Sequence, residues 1–204
     1  MSLEPKPKQT ISLHLTVEKD RVPAFFPMLS QGFTIKTKVG CSVRNLICSY
    51  LGLSADYLEL RLQTIFLDGK AVDNIETVLV HQGSTLALSA AMPGLAGATL
   101  RRGSAYAAMR DQITHKKSTT GENVKDGTIY LKLFNLVAEE IGQLFLTQGI
   151  WISGKNLQKL FKRVPAQFWA GCRAAEVDSQ EKKVHELVHM NWEKERVFLK
   201  LKVK

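Results

Sequence analysis

The chain has few of the features that mark catalysts, secreted proteins and membrane proteins. It has only three cysteines, Cys41, Cys48 and Cys172, with no CxxC pair and one left over if two were bridged. That argues against a disulfide framework or a paired-cysteine metal ribbon and points to free thiols in a reducing compartment. No apolar run approaches the ~18–20 residues that span a bilayer, so no membrane segment is expected. The first residues, MSLEPKPKQT, lack the apolar core of a secretory signal. A soluble, cytoplasmic protein is the expectation. There is no phosphate-binding P-loop, no GxGxxG and no GxSxG, so the commonest nucleotide-binding and serine-hydrolase signatures are missing.

Apolar residues make up 45% of the 204, enough for a real core. The net charge is +9 and the excess is spread over both halves of the chain. A mild, dispersed excess suits an acidic partner, and nucleic acid is a weak candidate for it. Short runs such as Lys116-Lys117 and Lys200-Leu201-Lys202 are read as solvated faces. No internal repeat is visible.

Residues 1–9 are polar, with two prolines, and read as a loose tail. In Thr10–Val17, Ile11, Leu13, Leu15 and Val17 alternate with Ser12, His14 and Thr16, the pattern of a half-buried strand. Phe33–Val39 alternates in the same way. Ser42 is placed to cap a helix over 43–51, whose apolar stripe is Val43, Leu46, Ile47, Tyr50 and Leu51, and Gly52 ends it. Leu60, Leu62, Ile65 and Leu67 read as a strand, Asp68-Gly69 as a tight turn, and Ser84–Ala91 as a further strand. Residues 98–126 read as a linker region with a possible short helix. Asp126 is placed to cap a helix through Ile129, Leu133, Leu136, Val137, Ile141, Leu144 and Phe145. Asp178 with Glu181 is read as a capping pair for a helix running to Trp192, and 196–204 as a terminal strand.

The order strand, strand, helix, strand, strand over residues 10–97, with Ile65-Phe66-Leu67-Asp68-Gly69-Lys70 and Ser84-Thr85-Leu86-Ala87-Leu88, resembles the ubiquitin-like β-grasp superfamily. The run from Gly83 to Gly97 is also similar to the end of the small sulfur-carrier proteins. The resemblance implies an α+β fold: a β-grasp domain over 10–97, followed by a second, mostly helical domain over 127–204 that ends in a strand. It implies a non-enzymatic protein-interaction or adaptor role with the sheet as docking surface. Phe25 and Phe26, in the long connection before the second strand, are candidate partner-binding anchors. A processed carrier or modifier is an alternative, with cleavage near Gly97 or Gly103, although neither is followed by a second glycine.

One motif points elsewhere. His185-Glu186-Leu187-Val188-His189 is a literal H-E-x-x-H. On an α-helix, residues four apart share a face, so both imidazoles can bind one zinc while the glutamate activates the bound water. The enzyme alternative is therefore a zinc-dependent hydrolase with Glu186 as base and His185, His189 and Glu193 as ligands. No cofactor is expected otherwise. Neither the partner's identity nor the oligomeric state is read from the sequence.

Overall fold

The computed structural model describes residues 10–91, 94–106, 114–115, 123–193 and 196–204. The first half of the chain runs β1 (Thr10–Val17), a 3-10 segment (Lys19–Phe25), α1 (Phe26–Gln31), β2 (Phe33–Val39) and a two-residue β3 (Cys41–Ser42). It continues through α2 (Val43–Asn45), widened into a π turn (Leu46–Tyr50), to α3 (Ala55–Leu60), the hairpin β4 (Thr64–Leu67) and β5 (Lys70–Ala71), the short β6 (Leu79–Val80) and β7 (Thr85–Ser89). After α4 (Gly94–Leu100) come β8 (Lys125–Phe134), α5 (Leu136–Gln148), β9 (Ile150–Ser153), α6 (Gly154–Arg163) and α7 (Ala166–Ala170). The hairpin β10 (Cys172–Val177) and β11 (Gln180–Lys182), a 3-10 turn (Val184–Val188) and β12 (Arg196–Val203) complete the chain.

The chain is mixed α/β and divides into two compact units. A terminal unit combines Met1–Phe33 with Ile141–Lys204, and a central unit is Thr34–Glu140. This is not the division expected at residues 97 and 127. In the terminal unit the strands lie in the order β11-β10-β1-β12-β9, and in the central unit β2-β8-β7-β4-β5. The strands of each unit have a parallel pair at their centre, β1 with β12 and β7 with β8; β10 and β9 flank the first pair as antiparallel neighbours, and β4 runs antiparallel to β7.

Several expectations are corrected here. Thr10–Val17 does not pair with the next strand, Phe33–Val39; it lies between β10 and β12. The place beside β7 is taken by β8. The helix expected from Asp126 begins only at Leu136, because Lys125–Phe134 is a strand. Ile129, Leu131 and Leu133 are all buried, a period of two that overlaps the period read through Ile129, Leu133 and Leu136. Asn135, at φ 53°, makes the joint between strand and helix. Residues 127–204 are therefore not a mostly helical domain. Leu60 ends α3, whose first turn is capped by the Ser54 hydroxyl accepting from the Tyr57 amide at 3.1 Å, rather than opening a strand. Asp178 and Glu181 belong to a hairpin, not a helix cap. Ser42 does cap the helical segment after it, accepting from the Asn45 amide at 3.2 Å. The expected tail 1–9 lies outside the described residues, as does most of the short helix expected after Ser104. The helix α4 (Gly94–Leu100) runs into the first residues of the expected linker, 98–100.

The two halves repeat one order of elements: strand, helix, strand, helix, short helix, hairpin, strand. Both β2 and β9 are entered through a Gln-Gly step, Gln31-Gly32 and Gln148-Gly149, with the glycines at φ 107° and 104°. In each unit the register across the parallel pair is the same: Thr85 opposite Tyr130 and Ala87 opposite Lys132, as Ser12 is opposite Phe198 and His14 opposite Lys200. The hairpin turns match as well. Asp68 and Asp178 both take positive φ. The Asp68 carboxylate accepts from the Thr85 amide at 2.6 Å while its own amide donates to the Thr85 carbonyl at 2.8 Å. Asp178 does the same to Ser12, at 2.8 and 2.9 Å. No such repeat was visible in the sequence, because the shared positions are alternating aliphatics that many strands carry.

The core of the terminal unit puts Leu13, Leu15, Val17, Val197, Leu199 and Leu201 of the sheet's inner face under a chain of rings. Phe25 meets Phe168 at 5.7 Å, Phe168 meets Trp169 at 5.1 Å, Trp169 meets Phe161 at 5.1 Å, and Phe161 meets Trp192 at 6.1 Å. Phe25 is fully buried, so it is a core residue and not an exposed anchor; Phe26 is half-buried.

Asp178→Ala removes a charge-assisted acceptor and places alanine in a left-handed turn, and should cost about 1–3 kcal/mol in urea unfolding. Asp68→Ala should cost a comparable amount. Asp178→Asn, which keeps both an acceptor and the tolerance for positive φ, should cost less than about 1 kcal/mol. A large effect at only one of the two aspartates would contradict their equivalence.

Candidate binding surface

Because strand side chains alternate, burying Leu13, Leu15, Val197, Leu199 and Leu201 sends their neighbours to the other face of the terminal sheet. That outer face carries Ser12, His14 and Thr16 from β1, Arg196, Phe198, Lys200 and Lys202 from β12, and Trp151 from β9. The strands β9, β12 and β1 contain no Asp or Glu. Trp151 and Phe198 touch, with ring centroids 4.7 Å apart, and His14 meets Phe198 edge-on at 6.3 Å. The Arg196 guanidinium lies 5.9 Å over the Trp151 ring. Glu176 of β10 brings a carboxylate to the edge of this face, 3.9 Å from His14, with 56% of its side chain exposed. A shallow hollow of about 200 Å³ has Thr16 and Ala174 among its lining, with His14, Glu176, Lys200 and Lys202.

Gly149 supports this cluster. It sits at φ 104°, and a Cβ there would fall inside contact distance of the Phe198 ring. The glycine therefore allows the turn into β9 and the seating of the ring at once. The matching face of the central unit carries Lys36 and Lys38 from β2, Tyr130, Lys132 and Phe134 from β8, and Phe66 from β4. Lys132 lies 5.9 Å over the Tyr130 ring, and Lys38 pairs with Asp126 at 2.9 Å.

The sequence named other residues, and the structure does not gather them into a site. Val184–Val188 is a 3-10 turn, with about three residues per turn. Positions four apart then point about 120° apart, so the i, i+4 argument for His185 and His189 does not hold. Both histidines, Glu186 and Glu193 are exposed. Leu187 is buried, its carbonyl accepting from the Trp192 indole at 2.9 Å, and the Trp192 amide donates to Gln158 at 3.0 Å. The segment is thus tied down by its apolar residues. Among the described residues no group of three or more His, Cys, Asp or Glu is gathered to hold a metal ion. Gly97 lies within α4, and the Gly103 amide donates to Asp73 at 3.4 Å.

Other polar clusters are internally matched. A hollow of the central unit, about 590 Å³, is lined by Arg44, Arg101 and Arg102 together with Glu59, Asp73 and Glu76. Arg44 reaches Glu59 at 2.9 Å and Glu76 at 3.4 Å, and Arg102 reaches Glu59 at 2.8 Å. Elsewhere in that unit, Glu140 accepts from the Tyr57 hydroxyl at 2.8 Å and from the Arg61 guanidinium. The Arg61 hydrogen bond holds the Glu140 carboxyl below the usual carboxylate range, while burial and then the bond to Glu140 raise the Tyr57 phenol. Acid and phenol are pushed away from neutrality, the opposite of what acid–base catalysis needs. Burial also raises the Cys41 thiol and pushes the Cys172 thiol up to about 11, so neither is an activated nucleophile.

Nothing in the sequence singled out Trp151, Phe198 or Arg196. Alternation alone puts His14, Lys200 and Lys202 opposite the aliphatics of their strands, but which strands neighbour one another is not written locally.

Gly149→Ala should destabilise the chain by about 1–3 kcal/mol in urea unfolding. Phe198→Ala should cost less in the Gly149→Ala background than in the wild type, because the clash goes with the ring. The lowered folded pKa of Glu140 gives a second test. Its stabilisation is complete above the unfolded carboxyl pKa, near about 4.3, and is lost as pH falls through the lower folded value. Glu140→Gln should therefore be less stable than wild type at pH 7, and the gap should close towards pH 3. A scan of protein-family models, a search of curated proteins and a search of solved structures each return no match to this chain.

Proposed function

We propose that the chain is a non-enzymatic binding or adaptor protein built from two β-grasp-like units, and that it docks a partner on the open sheet face of the terminal unit. The carrying observation is that face: three adjacent strands without a carboxylate, presenting Arg196, Lys200 and Lys202 around the contacting rings of Trp151 and Phe198. A sheet that buries one side and leaves such residues on the other is suited to recognition rather than chemistry.

The grasp reading is supported by the strand order, with a central parallel pair, an antiparallel hairpin beside it, and a helix following β2 in one unit and β9 in the other. The Ile65–Lys70 hairpin keeps the wording of the resemblance. What differs is the source of the first strand, which in the central unit is β8. The reading also takes the protein as cytoplasmic, in keeping with three free thiols; no helix among the described residues is long and apolar enough to cross a membrane. The modifier alternative is disfavoured by the helical setting of Gly97. The zinc alternative is disfavoured by the 3-10 geometry of Val184–Val188.

A photo-crosslinking side chain at Lys200, in the full chain expressed in its native host, should give discrete adducts. The same group at Lys155 or Lys162 of α6 should give few. Equal labelling at all three positions, or none at Lys200, would remove the sheet face as the docking surface.

A further inference from the structure

We propose that the partner of this face is single-stranded nucleic acid, lying across β9, β12 and β1 with its bases on Trp151 and Phe198 and its phosphates on Arg196, Lys200 and Lys202. The proposal rests on the docking reading above and adds the chemistry of the occupant. Nucleic acid without a complementary strand offers two things at once, unpaired π-faces and a regular row of negative charge. Proteins that bind it without reading sequence combine aromatic platforms with a cationic track. This face has both. Trp151 and Phe198 are half-buried on adjacent strands with centroids 4.7 Å apart, so each is held by the other, and Phe198 also packs against Gly149. Lys200 and Lys202 follow Phe198 along one strand at the two-residue pleat repeat of about 6.6 Å, which is of the order of the phosphate repeat in an extended strand. Arg196 lies at the other end of the same row, over Trp151.

Charge sets the direction. Among β1, β9 and β12 there is no acid to neutralise the cations. On the neighbouring strands the acids are Glu176 beside His14, Asp178 held by Ser12, and Glu181 opposite Glu176, all on the β10–β11 side. Arg173 is engaged by Glu18. The cations of this face thus stand on β12, between two strands without an acid, and the acids begin beyond β1, which confines a polyanion to the side where the rings are. The matching register of the central unit carries the same pair of residue types, Tyr130 and Lys132 standing where the terminal unit has Phe198 and Lys200. An aromatic and a lysine on the same two steps of equivalent strands is an arrangement that occurs twice in the chain.

The test is fluorescence anisotropy of the full chain with labelled single-stranded oligothymidylate and oligouridylate, with a duplex of equal length and with polyglutamate. Single strands should bind more tightly than duplex. The log–log salt slope should be about −2, from three phosphate contacts at roughly 0.7 each. Lys200→Glu with Lys202→Glu should weaken binding at least tenfold, while Lys155→Glu with Lys162→Glu on α6 should change it less than threefold. Phe198→Ala should weaken it roughly 5- to 100-fold with little change in salt slope; Phe198→Tyr, which keeps the platform, should restore it. Should Phe198→Ala not fold, Phe198→Leu in its place must still weaken binding. Absence of single-strand binding at low salt overturns the inference, as does binding untouched by the lysine and Phe198 variants. Polyglutamate bound as tightly as oligonucleotide, and lost in the double lysine variant, also overturns it, but leaves the docking face standing with an acidic protein as occupant.

Discussion

A parallel pair of strands cannot be closed by a tight turn, so it must be assembled from segments that are distant in sequence. This chain depends on two such pairs, β1 with β12 and β7 with β8. Each lies at the centre of its own unit's strands, and an antiparallel hairpin hangs on it. The entropy of closing a loop grows only slowly with loop length, so a pairing between Thr10–Val17 and Arg196–Val203 is not prohibitive. It needs only enough buried aliphatic surface to outweigh ordering. Leu13, Leu15, Val197, Leu199 and Leu201 supply that for β1 with β12, and Leu86, Leu88, Leu131 and Leu133 do so for β7 with β8.

The same pairs explain why the two units look alike although different stretches of chain build them. Once a parallel pair is placed, the hairpin beside it must present a turn residue able to take positive φ and to bond the neighbouring strand. Asp68 and Asp178 both do so, through a carboxylate that accepts an amide and an amide that donates to a carbonyl. Aspartate suits the place because its short acceptor reaches back while its backbone tolerates the left-handed region. The first strand of each half is then built into the other half's unit, a rearrangement that local patterning permits because both strands read as alternating apolar segments.

The proposed docking face follows from which side of the strands the pairing leaves bare. Burial of the aliphatic face is dictated by the hydrophobic effect, and the other face collects whatever lies between the aliphatics. On β12 that is Arg196, Phe198, Lys200 and Lys202. Beside it stand the Trp151 of β9 and the His14 of β1. None of these positions is needed for the core. The polar clusters that could have suggested an enzyme instead neutralise themselves, as Arg44 with Glu59 and Glu76, or move their acids and phenols away from neutral pH, as Glu140 and Tyr57 do.

Local chemistry was enough to establish the strands at Thr10–Val17, Phe33–Val39 and Arg196–Val203, the cap at Ser42 and the turn at Asp68-Gly69. In each case a period of two, a capping hydroxyl or a positive-φ residue acts within a few residues. The same chemistry misassigned Lys125–Phe134, where periods of two and of about four share Ile129 and Leu133, and Asp178, where a turn aspartate was read as a helix cap. The His185–His189 spacing likewise had force only on an α-helix. Which strands lie side by side, and therefore which rings and cations meet on one face, was decided by tertiary pairing alone: backbone hydrogen bonding between strands is indifferent to side-chain identity, and the choice of neighbour rests on the summed burial of residues from both ends of the chain.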